Sequence, residues 1–93
     1  MTKNEYARYQ QAVADFFERE GIANLSSTSH EPFFSWRPCE CCGRPEGGDR
    51  EEANGYNPTT QEVQTYECVC TDCIYYAEYR QLDDAAMLEI ENS

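Results

Sequence analysis

Three observations predict a small α+β fold, a zinc ribbon with an N-terminal amphipathic helix and C-terminal helices. The first is a pair of Cys-x-x-Cys motifs, Cys39-Glu40-Cys41-Cys42 and Cys70-Thr71-Asp72-Cys73, with 27 residues between Cys42 and Cys70. Four cysteines grouped two and two within a short chain have the spacing of a tetrahedral zinc site. The second is the stretch between the motifs. There, Arg50 to Tyr56 and Gln61 to Cys68 read as two strands joined through Asn57-Pro58-Thr59-Thr60, a hairpin that brings the two cysteine knuckles together. The third is a stripe of Tyr6, Tyr9, Val13, Phe16 and Phe17 at three- and four-residue steps, the period of one helix face.

The elements follow in chain order. Thr2 with Glu5 forms a capping box that starts a helix near Lys3, and Gly21 stops it. Ile22 and Leu25 are expected to fold back onto the aromatic stripe, whose usual role is core. Asn24 to His30 reads as a polar link, and His30, the only histidine, as a solvated loop residue lying outside any knuckle spacing. Phe33-Phe34-Ser35-Trp36 reads as a short strand punctuated by Pro32 and Pro38. Gly47-Gly48-Asp49 and Asn54-Gly55 are turn signals. Thr71 or Asp72 is expected to cap a helix carrying Ile74, Tyr75, Tyr76 and Tyr79. Leu82-Asp83-Asp84 then breaks the chain, with Asp83 capping a last helix that holds Met87, Leu88 and Ile90.

Length and composition set the limits. The 93 residues suit one domain, 1–93, with the N-terminal helix in 1–22, the ribbon in 33–73 and an acidic helical C-terminus in 72–91. A mean hydropathy of −0.83 implies a thin core, which a metal crosslink would reinforce. The start Met1-Thr2-Lys3-Asn4-Glu5 is polar, with no apolar leader. The expected compartment is therefore a reducing cytoplasm, where such cysteines act as metal ligands or redox groups rather than as disulfides.

Gly43 sets the register of the first knuckle. The backbone after the second ligand turns back toward its sulfur, a turn that often needs positive φ, and this marks Cys39 and Cys42 as ligands. Spacing selects Cys70 and Cys73. Cys41 and Cys68 are then left over, to pack as small hydrophobes, to form a disulfide under oxidation, or to join a six-thiolate, two-metal cluster; packing is the preferred reading. Zinc is expected ahead of iron. Rubredoxin-type iron sites use the same four thiolates, but Ile74 follows Cys73 where their knuckles usually carry glycine.

Four thiolates close the coordination shell and leave no position for a catalytic water, and His30 is the only candidate base, so no enzyme activity is expected. The net charge of −11 is unevenly placed, −2 over residues 1–50 and −9 over 51–93. Such a chain should repel nucleic-acid phosphates. Tyr75, Tyr76 and Tyr79 are too closely spaced for all to face one small core, so an exposed tyrosine is expected as an interface anchor.

The run Trp36-Arg37-Pro38-Cys39-Glu40-Cys41-Cys42-Gly43, the Gly55-Tyr56-Asn57-Pro58 turn and the closing Cys70-Thr71-Asp72-Cys73 resemble short zinc-ribbon proteins carried by bacteriophages and other bacterial mobile elements. The resemblance covers residues 33 to about 80. It implies a zinc-binding accessory protein acting in the bacterial host cytoplasm and carries no activity of its own; given such an origin, the acidic charge points to an inhibitor of a CRISPR effector or restriction enzyme. In that reading the carboxylates of Glu51, Glu52, Glu62, Glu67, Asp83, Asp84, Glu89 and Glu91 occupy a basic, nucleic-acid-binding surface of a host protein as phosphates would, together with Tyr75, Tyr76 and Tyr79.

Overall fold

The computed structural model describes residues 1–28 and 31–93. His30, read above as a loop residue, lies outside them. Helix α1 (Lys3–Glu20) starts from the expected capping box, in which Thr2 Oγ1 accepts the Glu5 amide and Glu5 accepts the Thr2 amide, and it ends on Gly21 at φ 70°. Tyr9, Val13 and Phe16 are its buried positions, with Tyr6 and Phe17 packed at the margin. That stripe is core, and Ile22 and Leu25 join it.

Four antiparallel strands follow: β1 (Asn24–Ser27), β2 (Phe33–Ser35), β3 (Gly48–Asn57) and β4 (Glu62–Cys70). The polar link expected at Asn24 to His30 is instead a strand over its first four residues, with Leu25 opposite Gly55. A single apolar residue gives no readable alternation; the free edge of β3 supplies the hydrogen bonds that a short polar strand cannot find alone. Strand β3 is the centre of the sheet. Its one edge pairs along its length with β4, and its other edge is shared end to end by β2, at Gly48 to Arg50, and β1, at Ala53 to Tyr56.

Asn54-Gly55, read above as a turn, runs straight through the middle of β3. The glycine serves close approach. A Cβ at Gly55 would meet Ile22 Cδ1 at 2.9 Å and Tyr66 Cε2 at 3.0 Å, so its absence makes the space in which the chain after α1 packs onto the hairpin.

The β3–β4 ladder carries a bulge. Ala53 faces Tyr66 and Glu51 faces Val69, so Glu67 and Cys68 on β4 together oppose Glu52 on β3. Past this point Cys68, Val69 and Cys70 are buried in succession, after a first half of β4 that is exposed up to Thr65. Helix α2 (Thr71–Tyr79) begins directly from β4, with Cys70 at the N-cap position and no side chain closing it. The expected capping by Thr71 or Asp72 does not occur, because the helix begins one residue earlier and the Asp72 carboxylate is held by Arg44 at 3.0 Å. Helix α3 (Asp84–Glu91) is capped as expected, with Asp83 accepting the Ala86 amide, and it buries Ile90. No helix among the described residues is long and apolar enough to cross a membrane.

Candidate metal centre

The two cysteine motifs meet at the junction of β4 and α2. The first lies in the loop between β2 and β3, and the second spans the last residue of β4 and the first turn of α2. The first knuckle is closed by two backbone bonds, Gly43 N–H to Cys39 O at 2.9 Å and Cys39 N–H to Arg44 O at 3.1 Å. Gly43 has φ 74° with open space around its Cα, so its backbone conformation, and no crowding, is what demands glycine.

The hairpin brings Cys39, Cys42, Cys70 and Cys73 together, with their sulfurs all within 4.8 Å of one another. Three separations are 3.4 Å (Cys70–Cys73), 3.8 Å (Cys42–Cys70) and 3.9 Å (Cys39–Cys73). Four sulfurs at about 2.3 Å from a central ion define a tetrahedron with edges of about 3.8 Å, so the donor set fits a four-thiolate metal ion. Cys39, Cys70 and Cys73 are buried and Cys42 is partly so. All six cysteines are free thiols; Cys41 and Cys68 are buried, and the cluster does not include them.

Cys39 is the focus of the donor hydrogen bonds. Its sulfur accepts the amides of Cys70 at 3.2 Å, Cys41 at 3.3 Å and Cys42 at 3.5 Å. Hydrogen bonds with the Cys42, Cys70 and Cys73 sulfurs, then the Cys70 amide, hold its pKa far below the ordinary thiol range against the effect of burial. Those three thiols are pushed up, Cys42 and Cys70 first by their bonds to Cys39, and Cys73 likewise. Binding of a metal ion requires these protons to leave, so acid opposes it.

Four surrounding residues were not read from the sequence as part of the site. Glu40 is a two-sided clasp: its carboxylate accepts the Cys68 amide at 2.8 Å, while its own amide donates to Cys68 O at 2.9 Å. The residue inside the first Cys-x-x-Cys thus satisfies the backbone that the bulge leaves unpaired, and it fixes the first knuckle against the strand leading to Cys70. Tyr9 reaches in from α1 to donate its hydroxyl to Cys73 Sγ at 3.3 Å. Burial first, and then the Cys73 sulfur, raise its pKa well above the usual phenol value, so it remains a donor. Arg44 joins the knuckle to α2 through Asp72, and its guanidinium lies 5.9 Å from the Tyr9 ring centre. Burial opposes the Arg44 charge, but Asp72 and the Cys70 and Cys42 sulfurs outweigh it and raise its pKa.

Arg50 is the fourth. It is 2% exposed, stands opposite Cys70 in the ladder, and donates to the carbonyls of Glu46 at 2.7 Å, Arg37 at 3.1 Å and Asp49 at 3.3 Å. Among the described residues no carboxylate pairs with it, and its Nε has no partner. A buried cation without a counter-ion is costly. The three carbonyls of Glu46, Arg37 and Asp49 are what hold its guanidinium.

The partner-binding candidates are spread over several elements. Glu62, Glu67, Asp83, Asp84, Glu89 and Glu91 are exposed. Glu51 is half-buried and accepts Ser27 Oγ at 2.7 Å, Glu52 is half-buried at the bulge, and Glu89 binds the Met1 amine at 2.7 Å. Tyr75 and Tyr79 are exposed, with ring centres 4.6 Å apart. Tyr76 turns inward, set edge-on to Tyr6 and Tyr9 with its hydroxyl accepting from Gln10. No protein-family model, curated protein or solved structure matches this chain, which leaves the four-sulfur geometry as the ground for a functional reading.

Proposed function

We propose that the chain is a non-enzymatic zinc-ribbon protein whose Zn²⁺, held by Cys39, Cys42, Cys70 and Cys73, is structural, and that it acts by binding another protein. The observation that carries this reading is the closure of the donor set. Four sulfurs at tetrahedral separations, three of them buried, use every position of a four-coordinate ion and leave none for substrate. The hard part of the fold is to hold a loop, a hairpin and a helix start against one another, and a metal ion stabilises that junction directly.

The surface that this scaffold presents is acidic. Ten carboxylates and a single arginine lie in residues 51–93, and a basic groove built for phosphates is the complementary surface. The partner is accordingly a host protein with a basic nucleic-acid-binding surface, such as a CRISPR effector or a restriction enzyme in the bacterial cytoplasm, which the carboxylates occupy in place of nucleic acid. Affinity capture from bacterial lysate, with metal analysis of the bait, tests this. The expected result is about one zinc per chain and a nucleic-acid-handling partner that elutes as salt rises. A red protein absorbing in the visible would replace zinc by iron, and binding indifferent to salt would remove the charge-mimicry mechanism.

A second reading is an adaptor docking through exposed tyrosines, favoured by the adjacent Tyr75 and Tyr79 rings on the outer face of α2. Alanine at both positions separates the two: it abolishes partner capture in the adaptor reading, whereas charge reversal at Asp83, Asp84, Glu89 and Glu91 abolishes it in the charge reading.

A further inference from the structure

The largest exposed apolar side chain of the molecule is Trp36, 77% exposed, and it does not stand alone. Phe34 is 58% exposed, and its ring meets the indole edge-on with centres 5.1 Å apart. The indole lies over Gly47, where any side chain would collide with its ring, so the backbone has made a seat for it. Both aromatics flank the end of β2, which pairs with β3 along one edge and has no strand on the other among the described residues. A solvent-facing aromatic pair beside an open strand edge is an arrangement that aqueous folding alone does not favour.

The exposed charges around this pair are mostly carboxylates. Asp49 stands directly opposite Phe34 in the ladder, Glu31 precedes the strand, and both are exposed. The one nearby cation that is exposed, Arg37, already lies 4.0 Å from Glu67. A second copy of this chain would bring a net charge of −11 against another −11, which disfavours an edge-to-edge dimer.

We infer that the free edge of β2, with Phe34 and Trp36, is a docking site for an extended, Lys/Arg-bearing segment of a partner protein. The segment adds to β2 as a strand through main-chain hydrogen bonds, and its cations lie over the indole and phenyl faces within reach of Asp49 and Glu31. This rests on the reading of the chain as an acidic protein that binds a basic partner, and it places the anchor on β2 and the residue that follows it.

Trp36 is the only tryptophan, so its fluorescence reports on this site directly. The zinc-loaded full chain is titrated with a short capped peptide of alternating Lys and Val. A Glu/Val peptide, and a Lys peptide with proline at alternate positions that cannot pair as a strand, serve as controls. The expected result is a blue shift of Trp36 emission and protection from acrylamide with the Lys/Val peptide alone. Calorimetry should show affinity at least tenfold weaker for the Phe34→Ser, Trp36→Ser double variant, whose two changes lie at the surface. Binding with unchanged Trp36 emission, or with affinity retained in the double variant, overturns this site and leaves the acidic-partner reading standing. Equal binding of the proline-containing peptide overturns strand addition, and no binding of either basic peptide overturns both readings. Concentration-dependent dimerisation of the chain alone that the double variant abolishes would give the edge to a second copy and overturn the proposal.

Discussion

Replacing Glu40 by alanine removes the acceptor of the Cys68 amide and keeps every sulfur. Cys68 is fully buried and sits in the β4 bulge, so its N–H has no neighbouring strand to turn to once the carboxylate at 2.8 Å is gone. Leaving a buried donor unsatisfied costs about 1–3 kcal/mol. The reciprocal bond, Glu40 N–H to Cys68 O at 2.9 Å, belongs to the backbone and survives the change, which points to the lower half of that range. Because the clasp aligns the first knuckle with the strand carrying Cys70, part of the loss falls on metal binding. At about 1.4 kcal/mol per factor of ten, a loss of about 1–2 kcal/mol caps the fall in zinc affinity at about 5- to 30-fold. Competition for zinc against a chromophoric chelator measures the affinity, and urea unfolding of the loaded protein measures the stability. Glu40→Gln keeps an acceptor oxygen and should recover most of both. Affinity within twofold of the parent in Glu40→Ala, with an unchanged urea midpoint, would refute the clasp.

Serine at Cys39, Cys42, Cys70 or Cys73 should abolish stoichiometric zinc binding, whereas alanine at Cys68 should retain the metal at a stability cost of about 1 kcal/mol, as atomic-absorption analysis and thermal unfolding would show. Gly43→Ala meets no neighbour but must hold φ near 74°, so it should cost about 1 kcal/mol in urea unfolding. Gly55→Val should cost more, about 1–3 kcal/mol, because it overfills the space of Ile22 and Tyr66. Tyr66 offers a test in pH. Burial, then its bond to Glu20, push its pKa up to about 12. A phenol whose folded pKa lies above the unfolded value of about 10 stabilises the fold fully below pH 10 and loses that contribution as pH rises from 10 to 12. Unfolding midpoints should therefore decline over that window, and Tyr66→Phe should flatten the decline.

Much of this molecule is legible from local chemistry. Thr2 with Glu5, and Asp83 before α3, are caps because their side chains bond amides one turn away, an interaction that needs no distant partner. The aromatic stripe of α1 follows from a periodicity of the chain itself, and the hairpin of β3 and β4 from the turn residues between two strand-like runs. Gly43 distinguishes Cys42 from Cys41 because the turn after the second ligand makes a local demand on φ. The misread elements all depend on something remote. Strand β1 forms because β3 has a free edge to offer, Gly55 is a strand residue because Ile22 needs its space, and Asp72 leaves the helix cap unmade because Arg44 holds it.

The sequence by itself determined which four cysteines come together, the helix boundaries set by their caps and the acidic balance of the chain, since spacing, capping and charge are properties of near neighbours. Only the tertiary structure decided that Glu40 locks the first knuckle to a bulge 28 residues away, that Tyr9 donates to Cys73 from another helix, and that Phe34 and Trp36 remain in solvent. These depend on a strand register and a bulge that many sequences of the same pattern need not share. A hydrogen bond across the fold has no periodicity to announce it.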